Sequence, residues 1–428
     1  MTSALETSLR ALYDKKGAQD PYQQRAWEAF AARPFWAVKT AAFRYLLLER
    51  LKKQHVSEES FVVPAEKVDP TPFLLPETAR SFLLFVNGQF APHLSQIPEG
   101  VVAMSLEEAK KGPYRAFLAK REQEQDTSEP NPFIHLNAAL FQEGLFLYVP
   151  PGLELKAPLQ LLFLTQGEKP FQAMFPHMVV SVGRKSRATL VLKTADLQQA
   201  AVWTNSALHL TVAEEARLSL IEEQTDPSAG WDFLAVRAKI KQSGTCAFFR
   251  CAFGLDEFSY RDISMRLLGE EAVGEVKSIA WLRKKETAHL NVEMRHEAPS
   301  TRSNQWIKCV AAERARSGFS GKIFVAQEAQ QTDAYQLNNN LILGERATAY
   351  SQPNLEVFAD DVKASHGATC SRPDAEELFY LQARGVDRSL AEKMLVRAFC
   401  RDLLEELTIA SLREQCEKAL EREYSEEG

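Results

Sequence analysis

The sequence predicts a mainly β protein: a parallel β-helix, or solenoid, flanked by an N-terminal α/mixed segment and a C-terminal α-helical segment. Three observations lead there. From about Phe133 to Pro353 the helical period nearly vanishes, and short runs of alternating apolar residues such as Met178, Val180 and Val182 take over. A unit of strand, short polar connection and strand recurs through the same region. Both flanks return to the three-and-four spacing of amphipathic helices.

In chain order, Leu9, Leu12 and Tyr13, then Trp27, Phe30 and Ala31, predict helix, and Phe43 to Leu51 continues the pattern. Pro34 splits this segment into two helices. From Arg80 the period changes to two, and Asn87-Gly88 marks a hairpin before Gln89-Phe90. Ser105 to Glu122 reads as a charged helix. The polar, proline-bearing run Gln123 to Pro132 then reads as a border, dividing an N-terminal helical/mixed cap domain (1–126) from a solenoid core (127–370).

Within the core, VGRKSRATLVL from Val182, VAEEARLSLIE from Val212, IKQSGTCAFFR from Ile240 and LLGEEAVGEVK from Leu267 start 30, 28 and 27 residues apart. Further copies at Cys309 and Leu341 follow gaps of 42 and 32, which predicts insertions. A fixed period in this range marks a solenoid, whose units bury their apolar faces only by stacking. A β-sandwich has the same short strands and would not need the repeat. An open-ended stack needs capping, and the flanking helices are placed to cover its terminal edges. After Ser371, Pro373 and Asp374 open a helix that Gly385 ends. Leu390, Met394, Leu395, Ala398, Phe399, Leu403 and Leu407 then form an apolar stripe, and a last amphipathic stretch runs from Leu412 to Tyr424, giving a C-terminal helical module (371–428).

Composition narrows the function. With 51 Lys+Arg against 57 Asp+Glu, the formal charge of -6 offers no basic stripe for nucleic acid. Asp374 to Glu427 alone holds 14 acidic and 8 basic side chains, so the imbalance sits in the tail. Met1 to Lys16 has no secretory pattern and no apolar run is long enough to span a bilayer, which predicts a cytoplasmic protein without membrane contact. Six cysteines (Cys246, Cys251, Cys309, Cys370, Cys400, Cys416) form no CxxC pair, arguing against a disulfide framework or a self-contained metal cage.

No GxxxxGK[ST], GxSxG or HExxH string occurs, so the chain carries no handle for nucleotide binding or for two common hydrolase chemistries. A β-helix polysaccharide hydrolase or lyase would want converging carboxylates; Asp333, Asp360 and Asp361 are the candidates, and adjacent strand residues point to opposite faces. His366 and Cys370 are the one pair with ligand chemistry, since imidazole and thiolate both suit iron or zinc, but two ligands do not hold a metal alone. His177, His209, His289 and His296 receive no role.

The stretch Thr332 to Ser371, containing LEVFADDVKASHGAT, with ELFYLQARGVD after it, resembles the end of the core domain of the SufB/SufD family of iron-sulfur cluster assembly proteins. It follows the SufD branch, where SufB members carry His-Glu-Ala-Thr. FVNGQFAPHLSQIPEGVVAMSLEEA from Phe85 and LFLYVPPGLELKAPLQLLF from Leu145 extend the likeness over most of the chain. The resemblance implies a right-handed parallel β-helix in a non-catalytic scaffold subunit. It implies pairing with a SufB-like subunit, and a SufC-like ABC-type ATPase docked on the C-terminal helices through Phe379, Tyr380, Arg384, Gly385, Leu390, Met394, Leu395 and Phe399. A transient iron-sulfur cluster would be shared at the heterodimer interface, with His366 as this chain's ligand, and the nucleotide would belong to the ATPase. A SufB-like homodimeric scaffold is the neighbouring possibility. Two departures stand out: Ala364 replaces a frequent family cysteine, and TAAFRYLLLERL differs from the usual Glu-Trp-Lys-Tyr-Thr string; Cys370 has no family role.

Overall fold

A computed structural model describes residues 4–16, 20–35, 48–57, 68–126, 129–165, 172–197, 201–225, 230–254 and 257–422. Helices α1 (Ala4–Lys15), α2 (Pro21–Ala32) and the single turn α3 (Leu48–Leu51) open the chain. The first break falls earlier than the sequence predicted. Asp20 accepts the Gln23 N–H and Pro21 takes the first turn of α2, so a helix stops and restarts well before Pro34. The expected helical residues Phe43 to Leu47 lie outside the described residues.

The Asn87-Gly88 hairpin joins β1 (Phe82–Val86) to β2 (Gln89–Phe90), and both turn residues take positive φ, 50° and 81°. Next come β3 (Val102–Ser105), α4 (Leu106–Lys111) and α5 (Arg115–Asp126). A reciprocal Ser105/Glu108 capping box starts α4, and the chain breaks again at Gly112-Pro113, so the single charged helix expected here is two. The last residues of the polar run are fixed to the core: Glu129 pairs with Arg237 at 2.8 Å, and Asn131 caps α6 (Pro132–Leu140). The sequence reading missed α6 because it is buried on nearly every side, which leaves no amphipathic stripe to detect.

The remaining strands are β4 (Leu145–Val149), β5 (Leu159–Thr165), β6 (Gln172–Met174), β7 (His177–Val182), β8 (Arg187–Asp196), β9 (Val202–Val212), β10 (Arg217–Gln224), β11 (Gly230–Ile240), β12 (Thr245–Ala252), β13 (Phe258–Leu267), β14 (Val273–Leu282), β15 (Thr287–His296), β16 (Arg302–Ala311), β17 (Arg316–Val325), β18 (Thr332–Ile342), β19 (Thr348–Val357) and β20 (Val362–Ser371). From β7 onward they wind into seven coils, each contributing one strand to each of two sheets. The first sheet runs β2-β1-β5-β8-β10-β12-β14-β16-β18-β20, and the second runs β19-β17-β15-β13-β11-β9-β7-β4-β3. All pairings between coils are parallel, so the protein is a parallel β-solenoid flanked by helices at both ends of the chain. The hairpin β1–β2 and strand β3 extend these same sheets.

The two corners of each coil explain the uneven repeat. Lys185, Glu215, Ser243, Glu271, Ser300 and Gln331 all hold φ between 51° and 60° at one corner. The copies from Val182, Val212, Ile240 and Leu267 belong to that corner, which continues after His296 and Val325. The copies at Cys309 and Leu341 lie at the opposite corner, with Lys284 and Glu313 as its left-handed residues. No insertion is present; the phase of the reading shifted by half a coil. At the first corner each strained residue is stabilised by the next coil: Lys185 N–H donates to the Glu214 carbonyl at 3.0 Å, Glu215 to Gln242 at 2.9 Å and Ser300 to Gln330 at 2.8 Å. A left-handed non-glycine residue costs roughly 1–2 kcal/mol, and a hydrogen bond returns about 1 kcal/mol.

Between the sheets lies the main core, including Leu190, Leu220, Phe248 and Val276 stacked in register. Helices α2 and α6 cover the outer face of the second sheet, where Phe133 meets Phe233 edge-on at 4.7 Å. After α7 (Ala375–Ala383), α8 (Arg388–Leu404) and α9 (Ala410–Arg422) lie along the outer face of the first sheet, packing Val396, Cys400, Leu403 and Leu412 on Ile221, Phe249, Ile279 and Val310. The expectation that helices cap both ends of the stack is therefore corrected. These helices cover flanks, and β19 and β20 remain edge strands with almost every residue exposed or half-buried.

Candidate functional site at the open end

Parallel register carries the chemistry of one coil directly onto the next. On the first sheet one interior column reads Leu190, Leu220, Phe248, Val276, Gln305, Gln336 and His366. The column is apolar through the fourth coil, carries amides in the fifth and sixth, and ends in an imidazole in the seventh. Gln336 Nε2 donates to Gln305 Oε1 at 2.7 Å. A Cβ on Gly321 of the facing sheet would collide with the Gln336 amide, which places that side chain between the sheets. His366, on the same face of β20 but beneath no further coil, is exposed.

Cys370 lies on the same face as His366, four residues along. At about 3.3 Å per residue the two are roughly 13 Å apart, so they cannot share one ion. Cys370 instead borders a cleft of about 360 Å³ with Ala347, Thr348, Ala349, Tyr350 and Arg372. Asn340, its register partner, is buried and donates to Asn338 Oδ1 at 2.7 Å. Among the described residues no group of three or more His, Cys, Asp or Glu side chains could hold a metal ion. A ligand set that includes His366 needs atoms from outside these residues.

Of the acids weighed for hydrolysis, Asp361 serves the corner through its backbone: its carbonyl accepts the Gln331 N–H at 2.6 Å and its N–H donates to Gln330 Oε1 at 3.0 Å, while Asp333 stands between Arg302 and Lys363 in register. The other strand histidines are buried fixtures. His177 Nδ1 meets Asn137 Oδ1 at 2.6 Å under a stacked Phe141, and His296 bridges Thr301 at 2.8 Å and Ser303 at 2.9 Å. Burial holds His177 and His209 well below the usual imidazole range and pushes His289 and His296 down to about 4.

Around the open end four large apolar side chains, Tyr335, Leu337, Tyr350 and Phe358, are exposed, Phe358 by 60%. A second exposed apolar group sits on the C-terminal helices. Asp374 caps α7 by accepting the Glu376 and Glu377 N–H groups, and Gly385 ends it at φ 86°. No residue of α7 is buried, and Phe379 is 73% exposed. Arg384 lies over the Tyr380 ring at 4.8 Å. On α8 the core face is Ala391, Val396, Cys400, Leu403 and Leu404, which leaves Leu390 and Met394 outside. Leu395 is half-buried, and so is Phe399, whose carbonyl accepts from Lys308 at 2.7 Å. The sequence reading missed the Gln305–Gln336 pair. Its signal was available in the polar run Gln336 to Asn340 inside an otherwise apolar strand pattern.

Two family models cover nearly the whole chain: "SufBD protein N-terminal region" over residues 19–161 and "SUF system FeS cluster assembly, SufBD core domain" over residues 163–399. An iron-sulfur cluster assembly SufBD family protein of Synechocystis is 30% identical over 354 residues, 79% of this chain and 77% of its own. The iron-sulfur cluster assembly protein SufD of Escherichia coli is 30% identical over 338 residues, 78% of this chain and 77% of its own. The chloroplastic protein ABCI7 of Arabidopsis thaliana is 28% identical over 294 residues, 66% of this chain and 61% of its own. With the solenoid, the Ser-His-Gly-Ala-Thr strand at its open end and these matches together, the chain belongs to the SufBD family of iron-sulfur cluster assembly proteins, as a SufD-like member.

Proposed function

We propose that the protein is a non-catalytic scaffold subunit that pairs through its open solenoid end with a SufB-like subunit and presents His366 to a nascent iron-sulfur cluster. The observation that carries this reading is the unfinished last coil. Two edge strands, β19 and β20, each paired on one side only, leave rows of backbone donors and acceptors beside exposed Tyr350 and Phe358. Natural proteins cover or blunt such edges, and a second solenoid edge would continue both sheets. His366 lies within that edge, and a neutral imidazole is a suitable borderline ligand for iron. The remaining ligands would come from the partner, which accounts for the incomplete set on this chain.

The second apolar group supports a second contact. Phe379, Tyr380, Leu390 and Met394, with Arg384 beside them, form an exposed surface on α7 and the start of α8. A SufC-like ABC-type ATPase docking there through these residues, Gly385, Leu395 and Phe399 would connect nucleotide-driven closure to the solenoid through α8. Lys308 joins that helix to β16 by bonds to Asp402 at 2.6 and 2.7 Å. No helix among the described residues is long and apolar enough to cross a membrane. Work in the cytoplasm is part of the proposal.

The test separates the two contacts. In His366→Ala, complex formation should persist while iron recovered with the complex falls; undiminished iron would refute the ligand role. Phe379→Ser with Met394→Ser should release the ATPase and leave the SufB-like subunit bound; retained ATPase would refute the docking surface. Point variants are the right tool because deleting 371–428 would also strip the apolar outer face of the first sheet.

A further inference from the structure

The amide pair above His366 ends in an unpartnered group. Gln336 is 3% exposed, and its Oε1 is buried with no hydrogen-bond donor among the described residues. A buried carbonyl left in that state costs about 1–3 kcal/mol, so it calls for a reason. The column supplies one. The amide nitrogen is committed to Gln305 on β16, which leaves the oxygen for a donor from the other neighbour in the column, on β20. The residue next in that column is His366. Paired strands lie about 4.8 Å apart, and an exposed side chain changes rotamer freely, so an imidazole N–H can reach Oε1 without backbone movement.

We propose that Gln336 is the positioning residue of His366. Its Oε1 accepts the N–H of one imidazole nitrogen and holds the ring in a single tautomer. The lone pair of the other nitrogen then points out of the open end, where a partner's ligands and iron meet it. Metal-ligating imidazoles nearly always donate their second nitrogen to such an acceptor, which fixes orientation and raises basicity. Gln305 steadies Gln336 from the apolar side, and Gly321 provides the room: any side chain there would displace the amide. The inference rests on His366 being a cluster ligand, and it names what aims that ligand.

The experiment compares the full-length wild type with Gln336→Met, which keeps the shape and removes the acceptor, and Gln336→Glu, which restores an acceptor. Long-range proton–nitrogen spectra of histidine-labelled protein should show one His366 tautomer in the wild type, a mixture in Gln336→Met and one again in Gln336→Glu. In complexes purified with the SufB-like subunit, a chelator should remove iron from Gln336→Met at least about tenfold more readily, with Gln336→Glu close to wild type. An unchanged tautomer and unchanged iron retention in Gln336→Met would overturn the inference while leaving the ligand reading intact. Full iron retention in His366→Ala would instead overturn the ligand reading, and the tautomer comparison would still decide the role of Gln336. Should Gln336→Met fail to fold, Gln305→Met loosens the same support from one coil further in and should give the same mixed tautomer; a single tautomer there would count against the proposal.

Discussion

His366 is conspicuous in the sequence because it sits in a recognisable Ser-His-Gly-Ala-Thr strand, yet its setting depends on residues 30 and 61 positions earlier. Only parallel register brings Gln336 and Gln305 into its column. The same register builds a charge cluster inside the solenoid that the sequence did not announce. Arg261 bonds Glu222 at 2.6 Å and also pairs with Asp232, while Arg250 bonds Ser259 at 2.8 Å. Burial raises the Asp232 carboxyl; it opposes ionisation of Glu222 too, but Arg261 and Arg250 hold Glu222 below its usual range. Removing Arg261 as Arg261→Met strands buried Asp232 and leaves Glu222 with Arg250 alone, and urea unfolding should show a loss of about 3–5 kcal/mol. A change under 1 kcal/mol would show the cluster to be dispensable. The buried histidines set a pH dependence. Their folded pKa values lie below the unfolded value, so the unfolded chain takes up protons first and stability falls as pH drops below about 6.5. With His289 and His296 pushed to about 4, each should cost about 2 kcal/mol by pH 5. A flat stability profile between pH 7 and 5 would contradict their burial.

At the scale of elements, the strands were legible from their alternation and α7 from Pro373, Asp374 and Gly385, because those signals are local. The helix α6 was not, since a helix buried all round carries no stripe, and the phase of the repeat was lost because both corners use similar polar turns. The corners can be tested directly. At Glu215, φ is 59°, so Glu215→Val should destabilise by roughly 1–2 kcal/mol while Glu215→Gly stays within about 1 kcal/mol of the parent, measured by thermal unfolding. Equal effects would mean that the corner is free to relax. The stripe on α8 shows a different limit. Its predicted members Leu390 and Met394 turned out to solvent, whereas Val396 and Cys400, which the stripe left out, face the sheet. A helix with apolar residues on more than one face needs its partners before its faces can be assigned.

For the whole molecule, the solenoid and its helical flanks followed from period and composition, whereas the state of its ends did not. Helices that seemed placed as end caps lie along the sheets instead, α2 and α6 on one and α8 and α9 on the other. The beginning of the stack is closed by β2 and β3, which run antiparallel to their neighbours, and the far end is open. An open end of a parallel solenoid with exposed Tyr350 and Phe358 and one imidazole is what the proposed pairing with a SufB-like subunit would cover. The most direct test is the native mass and iron content of the tagged chain purified without oxygen after co-expression with a SufB-like subunit and an ABC-type ATPase. A stable hetero-complex containing both partners and iron is the expected result; a lone chain of 48.2 kDa without iron would contradict the scaffold function.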